Sequence, residues 1–324
     1  MDDVDRSAVA DRAAGCLMGM ACGDALGAPY EFAPPLGPDA PVGMVGGGSF
    51  GWAPGEWTDD TSMVVVLLEA AEHAKVDGVP LTERLDDVAN GWAVWAANAP
   101  DVGAQTGQVL RDGATGGSVT ARSISAAATA LHLRTGRTAG NGSLMRTAPV
   151  ALAYLDDEPA MADAARTVSE LTHVDIDAGD ACVLWCAAIR HAVLHGELDL
   201  RRGLTLLPEQ RRWIWAERLD VAEGSSPADF RHNGWVVEAL QAAWAAITST
   251  AEATPGGEHG HLRRTLEAAA RGGYDTDTVA AIAGALVGAR YGRGAIPDEW
   301  LAVVHGWPGT TVIELGARGA LLAL

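Results

Sequence analysis

The residues with the most chemistry to offer stand in two short runs of oxygen donors, far apart in the chain. Thr58-Asp59-Asp60-Thr61 follows Gly55-Glu56-Trp57, and Asp275-Thr276-Asp277-Thr278 follows Gly272-Gly273-Tyr274. Each run opens an apolar stretch of helical periodicity. Capping explains part of this, because Ser, Thr and Asp satisfy the free N–H groups of a helix start and acidic groups suit its dipole. Capping needs one such residue, however, and each run carries two nearly adjacent carboxylates. If the runs meet in space, four carboxylates repel one another, and a divalent cation is the simple compensation. Oxygen donors without His or Cys select Mg²⁺, Mn²⁺ or Ca²⁺ over zinc. Four Asp and up to two Thr can supply two ions that share bridging carboxylates.

Other pieces are weaker alone. In Gly19-Met-Ala-Cys-Gly23-Asp24-Ala-Leu-Gly27 the glycines read first as a close helix contact. Glu31 stands at the entry of a long Pro- and Gly-rich loop, and Asp101, in Pro100-Asp101-Val102-Gly103, reads as a cap. Gly140-Asn141-Gly142-Ser143 is a glycine turn feeding a helix start at Leu144-Met145-Arg146. Its N–H groups can hold a phosphate, although it lacks the Gly-Lys-Ser/Thr of a Walker loop and also fits a plain turn with a cap. His173, after Leu171-Thr172, is by itself a structural or surface histidine. Cys16, Cys22, Cys182 and Cys186 all sit in apolar runs without zinc spacing and read as buried free thiols.

The elements that must position these groups are helical almost throughout. Val9, Ala13, Leu17 and Met20 define one face. Met63, Val66, Leu67 and Ala70 define a second, and Leu85, Val88, Trp92 and Trp95 a third. Further helical runs lie around 120–133, 143–155, 159–170, 178–195, 204–219, 233–248, 262–270 and 277–290, and no stretch alternates as a strand does. Residues 29–55, 112–118, 135–142 and 249–260 read as loops, none of them a domain linker, because the motifs fall on both sides of each. The expectation is an all-α chain, 1–324, in one domain. The 324 residues are 48% hydrophobic, a globular composition, with 39 glycines. A net charge of −19 argues against a broad face for nucleic acid and leaves room for one nucleotide held by backbone N–H groups and a single arginine. No apolar stretch is long enough to span a membrane, the start Met-Asp-Asp-Val-Asp lacks a basic signal, and free thiols fit the cytoplasm.

Taken in order, Gly23-Asp24-Ala-Leu-Gly27, Glu31, Thr58-Asp-Asp-Thr61, Pro100-Asp101-Val-Gly103, Gly140-Asn-Gly-Ser-Leu-Met-Arg146, Thr172-His173, Asp275-Thr-Asp-Thr278 and Ile296-Pro297-x-x-Trp300 resemble the ADP-ribosylglycohydrolase family. The resemblance covers roughly residues 12 to 300 and implies an orthogonal multi-helical bundle with a binuclear Mg²⁺ site (Mn²⁺ as an alternative). By that likeness Thr58, Asp59, Asp60, Asp275, Asp277 and Thr278 ligate the metals. Asn141, Gly142, Ser143, Met145 and His173 line the groove for ADP-ribose, Glu31 matches a gating glutamate, and Asp101 matches an aspartate in substrate handling. The implied reaction cuts the bond at ribose C1″ of an ADP-ribosylated acceptor and releases ADP-ribose, through oxocarbenium character. Asp59, Asp60, Glu31 and Asp101 compete for the role of base. Two other readings stand beside it: a catalytically weak ADP-ribose-binding module, and a metal-dependent phosphohydrolase of ADP-ribose. A terpenoid-synthase arrangement does not fit, because Asp59-Asp60 is followed by Thr61-Ser62-Met63 rather than by Asp-Asp-x-x-Asp.

Overall fold

The computed structural model describes residues 5–114, 118–251 and 257–324. Asp5 caps the first helix, α1 (Arg6–Gly27), by accepting from the N–H groups of Ser7 and Ala8. From Ala13 onward every residue of α1 is buried, so this helix is the axis of the molecule rather than a surface element. Its principal partner is α12 (Thr276–Tyr291), which is buried from Thr276 to Ala289.

The two helices run antiparallel along a seam of small residues. A Cβ on Gly19 would lie 2.4 Å from the Gly284 carbonyl oxygen, one on Gly23 2.1 Å from that of Ala280, and one on Gly27 2.5 Å from the Asp277 Cα. Backbones therefore touch where side chains would otherwise keep helices 8–10 Å apart. This closeness carries the end of α1, with Asp24, directly onto the start of α12, with Asp277. Thr276 Oγ1 adds a 2.9 Å hydrogen bond to the Gly27 carbonyl.

Around this pair pack α2 (Asp59–Asp77), α6 (Ala148–Ala153), α8 (Ile176–His195), α10 (Val236–Thr250), α11 (Gly257–Arg271) and α14 (Val312–Ala323). α3 (Leu85–Ala96), α4 (Ala104–Gly113), α5 (Ala121–Thr135), α7 (Glu158–Glu170), α9 (Glu209–Glu223) and the short α13 (Asp298–Leu301) complete an all-α architecture. Among the described residues no helix is long and apolar enough to cross a membrane. All four cysteines are free and buried.

The structure departs from the sequence reading in local detail. The run 143–155 is not one helix: a 3₁₀ turn, Asn141–Ser143, is followed by a break before α6, where Pro149 has no N–H to continue the ladder from the Met145 carbonyl. Pro208 splits the run 204–219 into a 3₁₀ turn and α9. α4 and α14 were not anticipated. A two-stranded hairpin, β1 (His305–Gly306) with β2 (Thr310–Thr311), also appears where no strand was expected; two residues per strand are too few to alternate. Residues 252–256 of the stretch 249–260 and 115–117 of the stretch 112–118 lie outside the described residues, while 249–250 end α10 and 257–260 open α11 rather than forming loop.

Candidate active site

The two Thr/Asp runs meet. Thr58 and Asp275 are the N-cap residues of α2 and α12, yet neither side chain makes a capping hydrogen bond. Asp5, Thr120, Asp157, Asp175 and Thr311 do cap their helices. The capping reading therefore fails at these two helix starts. Thr58 Oγ1 lies 3.5 Å from Asp59 Oδ1, 3.3 Å from Asp60 Oδ2 and 3.4 Å from Asp277 Oδ2, and Thr278 Oγ1 is 3.3 Å from Asp60 Oδ2. These spacings exceed the usual O–H···O distance of about 2.7 Å, and one hydroxyl proton cannot serve three oxygens.

Two carboxylate triads share this space. Asp24, Asp60 and Asp277 each place an oxygen within 4.8 Å of the other two, and so do Glu31, Asp275 and Asp277. Asp60 and Asp277 each also keep a buried Oδ1 with no hydrogen-bond partner. Buried acceptors are normally paired, and buried carboxylates unpaired by any cation cost a great deal. A hard divalent cation answers both costs, so the donor set fits such an ion.

The electrostatics follow from this crowding. Burial first, and neighbouring carboxylates second, push Asp59, Asp60 and Asp277 well above the usual carboxylate range. Burial also raises Glu31 to about 8, helped by Asp275, Asp101 and Asp24, and Asp101 to about 7, where the N–H of Asp59 pulls the other way.

Asp24 is the group that sequence reasoning passed over as a site residue. It is fully buried, and its two oxygens accept from the Thr58 N–H (2.9 Å), the Thr61 N–H (2.9 Å) and Thr61 Oγ1 (2.6 Å). It thus clamps the first turn of α2 against α1. The signal was available, since Asp24 is the single charge between Ala13 and Tyr30, and an ionisable group in an apolar helix needs a reason. Asn233 was also missed, and nothing in its sequence surroundings marks it. Asn141 Nδ2 donates 2.7 Å to Asp275 Oδ2 and 2.9 Å to the Asn233 carbonyl, and Asn233 Oδ1 receives the Asp275 N–H at 3.1 Å.

Glu31 and Asp275 are brought together by backbone. Phe32 and Tyr274, the residues beside them, both hold left-handed backbone angles (φ 65° and 63°) that side chains rarely adopt. Phe32 N–H bonds the Tyr274 carbonyl, and Tyr274 N–H bonds that of Ala33, at 2.6 and 2.7 Å.

Beside the carboxylates opens a groove of about 440 Å³. It is lined by Glu31, Asp59, Asp101, Asp275, Asp277 and Thr278 on one side and by Gly140, Asn141, Gly142, Met145 and His173 on the other. Phe32 and Phe50, ring centroids 6.3 Å apart and both solvent-exposed, stand at its edge. Asp101 Oδ2 accepts the Asp59 N–H at 2.8 Å, which fixes Asp101 at the groove wall. Thr58 and Asp60 lie just behind the wall. Ser143 does not belong to the groove: its buried hydroxyl points inward, accepting from Ser169 Oγ at 2.9 Å and from Cys182 Sγ at 3.6 Å.

Comparison with known proteins agrees with this geometry. The family model for ADP-ribosylglycohydrolase matches residues 5–323. The ADP-ribosylarginine hydrolase Tri1 of Pseudomonas putida (strain GB-1) is 32% identical over 316 residues, covering 91% of this chain and 74% of that protein. The ADP-ribosyl-[dinitrogen reductase] glycohydrolase of Rhodospirillum rubrum is 28% identical over 302 residues, covering 91% of this chain and 90% of its own length. A solved structure titled ADP-ribosylglycohydrolase-related protein complex superposes with a TM-score of 0.71 at 28% identity, covering 98% of both chains. By its whole-chain match, its helical fold and its paired Thr/Asp runs, the chain belongs to the ADP-ribosylglycohydrolase family.

Proposed function

We propose that this protein hydrolyses the bond between ribose C1″ of ADP-ribose and a modified acceptor, acting as one catalytic unit with two Mg²⁺ ions (or Mn²⁺) at its centre. The observation that carries this is the convergence of two Thr/Asp helix starts whose N-cap side chains do not cap their own helices, with unpaired buried oxygens on Asp60 and Asp277, at the wall of a nucleotide-sized groove. Thr58, Asp59, Asp60, Asp275, Asp277 and Thr278 would hold the ions. Bound divalent ions supply Lewis-acid polarisation and neutralise the carboxylate charge.

The chain's own groups do the rest. Gly140, Asn141, Gly142, Met145 and His173 form the wall against which the ADP-ribose lies. Glu31 and Asp101 face the groove, and burial raises both carboxyls toward neutrality in the metal-free protein, so either can exchange one proton with a leaving group or a water. Asp101 keeps one oxygen on the Asp59 N–H, whereas among the described residues no hydrogen bond ties the Glu31 carboxylate, which leaves it to follow the substrate. The cluster of carboxylates suits the positive charge that develops on the ribose as the C1″ bond breaks.

Arginine is the acceptor to test first, given the arginine hydrolase among the relatives. The experiment incubates the protein with arginine-modified protein, serine-modified protein and modified DNA, each with and without Mg²⁺. Release of intact ADP-ribose, dependent on the metal, supports the proposal. AMP as the product would establish a phosphohydrolase instead, and binding of ADP-ribose without release from any substrate would establish a binding module.

A further inference from the structure

His173 is a buried ring at the groove wall whose Nε2 has no hydrogen-bond partner among the described residues. The ring is 2% exposed, and Nε2 lies 3.2 Å from where a Cβ would stand on either Gly140 or Gly142, at the groove wall. What this nitrogen can do depends on whether it carries the proton. The answer is written in the two residues behind it.

Arg146 is fully buried and has no carboxylate within ion-pair distance among the described residues. Its guanidinium stacks 3.9 Å over the Trp92 ring, with one Nη 3.6 Å from Met63 Sδ. The other Nη donates 2.7 Å to Thr172 Oγ1. A guanidinium has only donors, so Thr172 Oγ1 accepts there. Thr172 Oγ1 is also 2.7 Å from His173 Nδ1. The threonine hydroxyl has a single hydrogen, and Nδ1 is the acceptor within reach of it. If Nδ1 carried the proton instead, Thr172 Oγ1 would accept twice and its own hydrogen would be left buried without an acceptor, a cost of the kind folded proteins avoid. The imidazolium, with both nitrogens protonated, meets the same objection and stands beside a buried cation. Burial and Arg146 accordingly hold His173 well below the usual histidine range.

We infer that Arg146 and Thr172 are positioning residues: the chain Arg146–Thr172–His173 locks the imidazole neutral with its proton on Nε2, making it a hydrogen-bond donor aimed into the groove. Its ligand there is an oxygen acceptor, a phosphate or ribose oxygen. The binding half of the inference rests on the ADP-ribose reading above, and the tautomer half does not. The chain also explains a buried arginine without a counter-ion. Its charge acts through one hydroxyl to set which nitrogen of a ring three atoms away is protonated.

The test uses the full chain labelled with ¹⁵N-histidine, in which long-range ¹H–¹⁵N correlations report each ring's tautomer and His173→Gln identifies the signal. The expected result is a single neutral form with the proton on Nε2 between pH 5.5 and 8.5. Thr172→Val, close in shape but without the hydroxyl, should give a mixture of tautomers and weaken ADP-ribose binding about five- to tenfold, the worth of one hydrogen bond. Thr172→Ser should restore both. Proton on Nδ1 in the native chain would overturn the inference, even if Thr172→Val does not fold. So would a tautomer unchanged in Thr172→Val, or an affinity unchanged when the tautomer shifts. If the native tautomer is as expected and ADP-ribose does not bind at all, the functional reading fails and the lock stands.

Discussion

Replacing Asp24 by Asn separates its two roles. As a clamp, Asp24 presents acceptors only, to two backbone N–H groups and one hydroxyl. Asn turns one oxygen into an NH₂ that faces a donor whichever way the amide flips, which costs about 2–3 kcal/mol. As a charge, Asp24 is expensive: burial outweighs the Thr58 and Thr61 hydrogen bonds and raises it from 3.8 to about 6 without metal. A difference of about two pH units is worth about 3 kcal/mol. The sign follows from linkage. The folded metal-free chain holds this proton more tightly than the unfolded chain, so stability is lost as pH rises from about 4 through about 6. In chelator at pH 8, Asp24→Asn therefore relieves about as much as it removes, and its melting temperature should stay within about 3 °C of the native value. At pH 5 about half of that relief is gone, and the variant should be the less stable. With saturating Mg²⁺ the ions offset the charge, only the clamp loss remains, and the variant should melt roughly 6 °C lower, at about 2 °C per kcal/mol for a large domain. Scanning calorimetry at two pH values, with chelator and with Mg²⁺, gives the four numbers. Equal destabilisation in all four conditions would refute the reasoning and reduce Asp24 to a clamp electrically separate from the metal centre.

Other outcomes follow from the same geometry. Asp60→Asn and Asp277→Asn should each cost more turnover than the 10- to 100-fold typical of an outer partner of a metal site, while raising the melting temperature in chelator, where a repelling buried charge has gone. A fall in both chelated melting temperatures would contradict the crowding argument. Gly142→Val should weaken ADP-ribose binding at least tenfold by calorimetry with little loss of stability, because its Cβ would meet the His173 ring at 3.1–3.2 Å, crowding the groove wall rather than the core. Gly19→Ala, whose Cβ would enter the backbone of α12, should cost about 3 kcal/mol in a denaturant melt. Gly37→Ala, with nothing within 4 Å, should cost none, and equal effects would remove the seam as an explanation of the fold.

How much was legible in the sequence depends on the range of the interaction that decides each feature. The Thr/Asp runs were legible because like charges packed into a helix start demand an explanation from sequence alone. The structure supplies it by joining residues 58–60 to 275–278. The glycines of Gly19–Gly27 read correctly as a close helix contact, but the partner helix could not be named, since a seam is a property of two surfaces. The helix placed at 143–155 begins only at Ala148, because Pro149 in the first turn of α6 has no N–H to bond the Met145 carbonyl, a signal the sequence carried and the apolar period overrode. Ser143 looked like part of a phosphate turn because its neighbours are. A 3₁₀ turn sends successive side chains to different faces, and the third points at Ser169 instead of the groove. Arg146 stood only as the last residue of the Gly140–Arg146 motif, and its work shows only in its stacking on Trp92 and its bond to Thr172.

The groove poses an electrostatic problem whose solution ties substrate to metal. Five carboxylates line it, those of Glu31, Asp59, Asp101, Asp275 and Asp277, and no lysine or arginine is among its lining residues. On the proposed reading a pyrophosphate entering this cavity would meet the Gly140–Gly142 turn, whose Asn141 N–H already donates to the Gly234 carbonyl, and the His173 edge; neutral donors there would orient an anion without cancelling its charge or that of the acids. The cancellation must come from cations held by those same acids. Metal and nucleotide then bind with positive coupling, and linkage makes the coupling reciprocal: whatever factor the ions add to ADP-ribose affinity, ADP-ribose adds to theirs. Arg146, the nearest buried cation, cannot substitute, because its guanidinium is committed to Trp92 and Thr172 behind the wall. The net charge of −19 thus works against the free nucleotide out to about the screening length, roughly 8–10 Å at physiological salt, and discrimination in its favour is confined to the few ångströms where the ions and the Gly140–Gly142 turn are in reach.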